Sequence, residues 1–213
     1  MKNIKTLPLL TMIAMVILSF TNLFGLNIAG AAIFVGVIFF FVNKAVEKEP
    51  YKGSGLDFSS IRNDLKDIKV WFWVVLPLVM GVITLVVAKL FLPEYIEYEI
   101  IRAGGFVAIE LSLLSIVQFF IFALGEEIAW RAFFQKQLNK SMSITSTVLI
   151  SSLLFSLGHF KAGDFKVVAF SMLSVFINSI LYGVVFHKTN NAWISTISHF
   201  ISNVAGVIIL MFI

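Results

Sequence analysis

Seven apolar runs occupy most of the chain, at Leu7–Phe24, Ile28–Val42, Val70–Leu92, Phe106–Leu138, Thr145–His159, Lys166–Phe186 and Ala192–Phe212. A helix needs roughly 20 residues to cross the hydrocarbon core of a bilayer, and in lipid each backbone N–H and C=O must be satisfied within the protein. Runs of this length therefore predict an all-α, polytopic transmembrane bundle. The composition agrees: 59% of the 213 residues are hydrophobic, only 13% are charged, and 23 are Phe, more apolar surface than a soluble domain of this size could hide. The fourth run is longer than one span and contains Gly125, so seven or eight helices are expected, the count depending on a break there. The whole chain, 1–213, reads as one integral membrane domain. Residues 1–92 supply N-terminal spans and a cytoplasmic linker at 43–69, and 104–213 supply the helices that carry the polar motifs.

The net charge of +4 does not indicate nucleic-acid binding, because the lysines lie mainly beside apolar runs, where they act as topology determinants. The one long polar segment, Asn43 to Lys69, holds six Lys/Arg together with Pro50 and Gly53-Ser54-Gly55, which marks it as a cytoplasmic linker. Within it, Ser59 to Lys66 suits a short surface helix. The loop from Pro93 to Ile100 holds Glu94, Glu97 and Glu99 without a base and is expected outside. Lys2, Lys5, Lys136 and Lys140 then fall inside with the N-terminus. Lys161 and Lys166 run against this map, a conflict that an interfacial or re-entrant segment near Gly158–Phe165 would remove. The start of the chain imitates a signal peptide, but a second apolar run follows at once, so the first span is expected to be retained. Lysine far outnumbers arginine, and Ile, Phe and Asn are abundant, a bias common in AT-rich bacterial genomes. The expected location is a bacterial cytoplasmic membrane.

The chain has no cysteine, which excludes disulfides, thiolate metal sites and a cysteine nucleophile. Its chemistry must come from other groups. The run Leu124-Gly125-Glu126-Glu127-Ile128-Ala129-Trp130-Arg131 places three ionisable residues inside apolar sequence. A charge at the bilayer centre costs roughly 2.5 kcal/mol or more, so such residues are read first as part of a functional site. On an α-helix, residues four apart share a face and adjacent ones diverge by about 100°. Glu127 and Arg131 can thus form a charge-neutral pair, while Glu126 points elsewhere without a local counter-ion. Burial should raise the proton affinity of Glu126 and make it a general acid or base. The plainer reading of the same residues is polar glue between helices.

Two of the three histidines lie within apolar segments: His159 after Phe155-Ser156-Leu157-Gly158, and His199 with Asn203 one turn later. His187 sits at a span end, where a polar residue needs no special reason. A lone intramembrane histidine is usually a packing residue. Two His, one Asn and two Glu on three separate apolar segments would instead satisfy one another in a shared wet pocket. A carboxylate and an imidazole can deprotonate water, and a second imidazole with a carboxamide can donate hydrogen bonds to an oxyanion. That set can hydrolyse an amide. Ser156, Ser195, Ser198 and Ser202 lie near these histidines, but none sits in a Gly-x-Ser-x-Gly elbow. The His-Glu-x-x-His zinc pattern is also missing. Glu126, His159 and His199 could still form a His₂Glu zinc site, so both a metal-bound water and a water activated by Glu and His alone remain open at this stage.

The ordered set Glu126-Glu127-x-x-x-Arg131, Phe155-x-x-x-His159 and His199-x-x-x-Asn203 resembles the three motifs of the CAAX protease and bacteriocin-processing enzyme family, the Abi or CPBP intramembrane endopeptidases. The resemblance implies an eight-helix-like membrane fold and peptide-bond hydrolysis within the membrane, near its cytoplasmic side. By it, Glu126 would activate water with His159, His199 and Asn203 would stabilise the oxyanion, and Glu127 and Arg131 would hold the motif in shape. No cofactor or metal is expected, and zinc on Glu126, His159 and His199 is the competing view. The expected partners are a membrane peptide or protein substrate and the lipid bilayer. The expected role is bacteriocin self-immunity or peptide processing. A non-enzymatic immunity or scaffold protein and a proton-coupled transporter are the alternatives from other classes.

Overall fold

The computed structural model describes residues 4–23, 26–27, 29–107 and 113–212. The expected ends at Phe24 and Ile28, the topology marker Lys2 and the part of the fourth run at 108–112 lie outside the described residues. The main elements are α1 (Thr6–Ser19), α2 (Ala29–Glu47), α3 (Ile68–Phe91), α4 (Glu94–Val107), α5 (Leu113–Leu138), α6 (Ile144–Gly158), α7 (Phe165–Thr189) and α8 (Ala192–Phe212). By length and composition, α2, α3, α5, α7 and α8 can each cross a membrane, and α1 and α6 are shorter apolar helices. Asn22–Leu23 and Leu26–Asn27 pair antiparallel between α1 and α2.

Local sequence sets the helix ends. The side chain of Asp67 accepts from Lys69 N–H at the start of α3, Ser143 from Ser146 N–H at the start of α6, and Asp164 from Lys166 and Val167 N–H at the start of α7. Each satisfies a donor that the first turn cannot pair internally. Asn190 closes α7 in a left-handed conformation, φ 46°, one of the few residue types that adopts it readily.

Several expectations change. The acidic loop expected from Pro93 to Ile100 is the start of α4, with Glu94 and Glu97 in its first turn, where the helix dipole favours them. The same stretch carries apolar residues on one face, and Tyr95 packs against Leu85 and Ala88 of α3, Val167 of α7 and Leu210 of α8. The fourth run is not broken at Gly125. Phe106 and Val107 belong to α4, and α5 is α-helical through Glu127 before widening into a π-helical stretch, Ile128–Gln135, whose eight residues are all buried. At Gly125 the missing side chain serves packing, since a Cβ there would lie 3.1 Å from Ile33 of α2. At Gly158–Phe165, α6 ends at Gly158, α7 begins at Phe165, and a non-helical connection joins them.

The segment expected as a linker is a packed strap. Gly53 and Gly55 have φ of 81° and 96°, values that suit glycine alone, and the turns they make press the chain onto the helix ends. Ala192 N–H donates to Gly55 C=O at 2.7 Å, the Asn190 amide to Gly53 C=O at 3.1 Å, and Lys136 Nζ to Gly53 C=O and Glu49 at 2.9 Å each. The Asn191 amide nitrogen reaches Asp57 C=O, Ser60 Oγ and Asp64 Oδ2. The surface helix expected over Ser59–Lys66 is a 3₁₀ turn at Phe58–Ser60 followed by Ile61–Asp64. The strap thus gathers the ends of α5 and α7 and the start of α8 at one end of the bundle. At the opposite end, Ser19 closing α1 lies beside Gly158 closing α6, and Tyr98 of α4 lies beside Gly163.

The main apolar core joins α1, α2, the π-helical stretch and α6 through Met15, Phe40, Trp130, Phe133 and Phe155. The approach of α2 to α5 is close: a Cβ on Gly36 would sit 2.6 Å from Cβ of Ala129. On the other side, α8 leans on α3, with Ser198 Oγ donating to Val74 C=O at 2.7 Å and Ser202 Oγ to Pro77 C=O at 3.4 Å.

Candidate active site

Glu126 lies near the midpoint of α5, on the last α-helical turn before the π-helical stretch. Its carboxylate faces both interior histidines, with Oε2 3.7 Å from His199 Nε2 and Oε1 4.0 Å from His159 Nε2. Three separate helices supply these groups. His159 caps the end of α6, and its Nδ1 lies 2.9 Å from Phe155 C=O. A carbonyl only accepts, so Nδ1 carries the proton, and neutral His159 presents the lone pair of Nε2 to Glu126.

His199 is fixed in the same sense by a different partner. Its Nδ1 lies 3.0 Å from Oε1 of Glu127, leaving Nε2 toward Glu126. Tyr182 of α7 stacks on the His199 ring, centroids 4.4 Å apart and planes 18° apart. The Phe155 ring packs at 4.4 Å against His159. Each imidazole is held by one hydrogen bond and one ring.

Glu127 and Arg131 are both fully buried, and Oε2 of Glu127 is 3.5 Å from Nε of Arg131. The pair expected from the four-residue spacing is present. Its distance is that of an ion pair without hydrogen-bond alignment, and Arg131 Nε and Glu127 Oε2 have no hydrogen-bond partner among the described residues. Arg131 Nη2 donates to Ser179 Oγ at 3.0 Å, and Gln135 Nε2 donates to Gly183 C=O at 2.9 Å. Residues four apart on α5 therefore meet residues four apart on α7. Glu127 does more than neutralise Arg131, because its second oxygen orients His199.

Glu126, His159, His199 and Asn203 line one cavity of about 370 Å³, with Tyr182 and Arg102 also in its wall. Asn203 is half-buried on α8, one turn beyond His199. All four residues expected to carry the chemistry thus reach one space. The serines do not form an alternative centre. The hydroxyls of Ser156, Ser195, Ser198 and Ser202 donate to the carbonyls of Leu153, Ala192, Val74 and Pro77 respectively. His187 is exposed at the end of α7.

A zinc ion on Glu126, His159 and His199 would need ligand atoms at ~2.0–2.2 Å and hence about 3.4 Å apart in a tetrahedron. Their facing atoms stand at 3.7 and 4.0 Å, so the side chains as placed do not fit the ion, and no group of three or more His, Cys, Asp or Glu among the described residues is arranged to hold a metal. The arrangement does suit a water. An ionised Glu126 carboxylate opposite the Nε2 lone pair of His159 lacks a donor, and one water between them supplies a hydrogen to each.

Tyr182, Ser179, Gln135 and Arg102 join the site without having been expected in it. Gln135 carries a usable signal, since it continues the four-residue series from Glu127 through Arg131. Arg102, an isolated arginine beside an apolar run, is a visible signal too. Tyr182 and Ser179 in α7 have no local pattern that separates them from packing residues.

Residues 108–205 match the family model described as Type II CAAX prenyl endopeptidase Rce1-like. No curated protein and no solved structure matches the chain significantly. The apolar helices and the matched family together indicate a multi-pass membrane protein.

Proposed function

From the match of residues 108–205 to the Rce1-like family of CAAX-type membrane proteases, we propose that this protein is an intramembrane endopeptidase in which Glu126 and His159 activate water. The observation that carries the reading is the placement of Glu126 within 4.0 Å of Nε2 on both His159 and His199, on the wall of one cavity.

In the proposed mechanism a water held between Glu126 and His159 loses a proton to the carboxylate as its oxygen attacks the peptide carbonyl. The tetrahedral oxyanion accepts hydrogen bonds from His199 and the Asn203 amide. His199 already holds a proton on Nδ1 against Glu127, so it donates from Nε2 as the imidazolium. Glu127 stabilises that cation as the buried acid of a catalytic triad does, and Arg131 keeps Glu127 ionised. The Glu126 carboxyl then protonates the leaving nitrogen as the C–N bond breaks. No step needs a metal.

The substrate class is a membrane-associated peptide or protein, and the biological setting is bacteriocin self-immunity or peptide processing in a bacterial cytoplasmic membrane. The N-terminus is assigned inside. Lys48, Lys52, Lys136, Lys140 and Lys188 gather at the strap end of the bundle, which is the cytoplasmic end under the positive-inside rule. The test compares the membrane peptidome of cells carrying the wild-type protein with that of cells carrying Glu126→Gln. Peptides that depend on the wild-type protein and vanish in the variant support the reading. Identical peptidomes at equal protein levels contradict it.

A further inference from the structure

A second cavity, of about 310 Å³, adjoins the first. It lies among Ser19 at the end of α1, Gly30 and Ile33 on α2, Trp130 on α5, and Gly158 and Lys161 at and beyond the end of α6. Arg102, Glu126, Phe155 and His159 line both cavities. His199 and Asn203 line only the first. The water-activating pair therefore stands in a common wall, with room on either side, and the second space is at the low end of the volumes that small-ligand pockets span, ~300–1,000 Å³.

We infer that the second cavity, between α1, α2 and the end of α6, receives the residues on the leaving-amine side of the scissile bond, with Lys161 at its mouth selecting a segment that carries a carboxylate. This assignment rests on the proteolytic reading above. Its basis is the unequal distribution of groups. The carbonyl oxygen must lie where His199 and Asn203 can reach it, and that is the first cavity. The leaving nitrogen needs a proton, and Glu126, its donor, also faces the second cavity. A chain with its carbonyl in the first and its nitrogen toward Glu126 continues into the second. Arg102 is engaged with Glu99 at 3.0 Å and Ser171 at 3.1 Å, so exposed Lys161 is the cation at the mouth. Among the described residues, the only carboxylate in that lining is Glu126 itself.

Gly30 gives direct experimental access. Among the described residues a Cβ built there meets nothing within 4 Å, so Gly30→Trp introduces a large side chain at the cavity wall from a backbone position with open space beside it. The experiment uses the full chain in proteoliposomes and fluorogenic peptides that share one acyl segment. Their leaving segments have one or four residues, and the four-residue segment ends in an amide, a free carboxylate, or an amide preceded by Glu. For Gly30→Trp the expected result is a loss of about tenfold in kcat/KM on four-residue leaving segments, with one-residue segments within about twofold of wild type. For Lys161→Glu it is loss of the preference for carboxylate-bearing segments over the plain amide. The free-carboxylate and Glu-amide arms tell a terminal carboxylate from a side chain. Equal effects of Gly30→Trp on short and long segments, or a carboxylate preference untouched by Lys161→Glu, would overturn the assignment. Glu126→Gln separates the two levels. Cleavage that persists in it removes the proteolytic reading, whereas cleavage that disappears in it while both cavity variants behave as wild type removes only the cavity assignment.

Discussion

Oε1 of Glu127 sits 3.0 Å from Nδ1 of His199, while its other oxygen faces Arg131. One buried carboxylate thus links the ion pair within α5 to the imidazole on α8. Removing one member of a buried pair leaves an uncompensated charge, at a cost of ~3–5 kcal/mol, whereas replacing both with neutral residues of similar volume is often nearly neutral. We therefore expect Arg131→Met alone to lower thermal stability sharply in detergent, and Glu127→Gln with Arg131→Met to recover much of it. Activity should not recover, because a neutral carboxamide in place of the Glu127 carboxylate does not hold an imidazolium. Melting temperature and turnover measured on the same preparations check both halves.

The Asn191 side chain is the strap anchor with the most hydrogen bonds. Asn191 Nδ2 reaches Asp57 C=O, Ser60 Oγ and Asp64 Oδ2, and its Oδ1 accepts from Trp193 N–H. Asn191→Ala removes all four of these hydrogen bonds and takes from Trp193 N–H its Asn191 acceptor, at a cost of ~1–3 kcal/mol for an unsatisfied group. The expected outcome is faster proteolytic cutting between residues 48 and 57 in the variant than in the wild type, with the helices still intact by circular dichroism.

The strap should also respond to acid. The Ser59 hydroxyl donates to Asp57 at 2.6 Å and holds its carboxyl below the usual value of 3.8. A carboxyl whose folded pKa is depressed contributes stability that is fully present above its unfolded pKa and is lost as pH falls through the folded value. Strap protection measured by limited proteolysis with an acid-tolerant protease should therefore hold above about pH 4 and weaken below it. Ser59→Ala should move that loss to higher pH.

The mechanism routes no step through a metal. Treating the purified protein with a zinc chelator should leave turnover within about twofold of the untreated sample. A stoichiometric metal whose removal abolishes activity and whose return restores it would contradict this part of the account.

Much of the architecture was legible because long apolar runs in a chain this hydrophobic leave few alternatives to a helical bundle. The paired Glu127 and Arg131 were legible for a local reason, the four-residue spacing, and the π-helical stretch did not separate them. What the sequence concealed was long-range. Nothing near Glu127 announces that its second oxygen meets His199 across the bundle, or that Tyr182 stacks on that ring. The acidic residues of α4 suggested a loop because their charge masked the apolar face around Tyr95. The strap suggested a linker because its anchors, Asn190, Asn191 and Lys136, lie far away in sequence. The gathering of Glu126, His159, His199 and Asn203 could be expected from the cost of isolated polar groups in lipid. The second cavity beside them could not, since small residues such as Gly30 and Gly158 make room without a chemical signature.

Cleavage of a confirmed peptide substrate by purified protein in liposomes, with wild type, Glu126→Gln and His159→Ala compared at equal folded concentration, tests the role of Glu126 and His159 most directly. Loss of about 10³-fold or more in turnover for Glu126→Gln and about 10²-fold or more for His159→Ala, with melting temperatures close to wild type, is the predicted result. Wild-type turnover in both variants would contradict it.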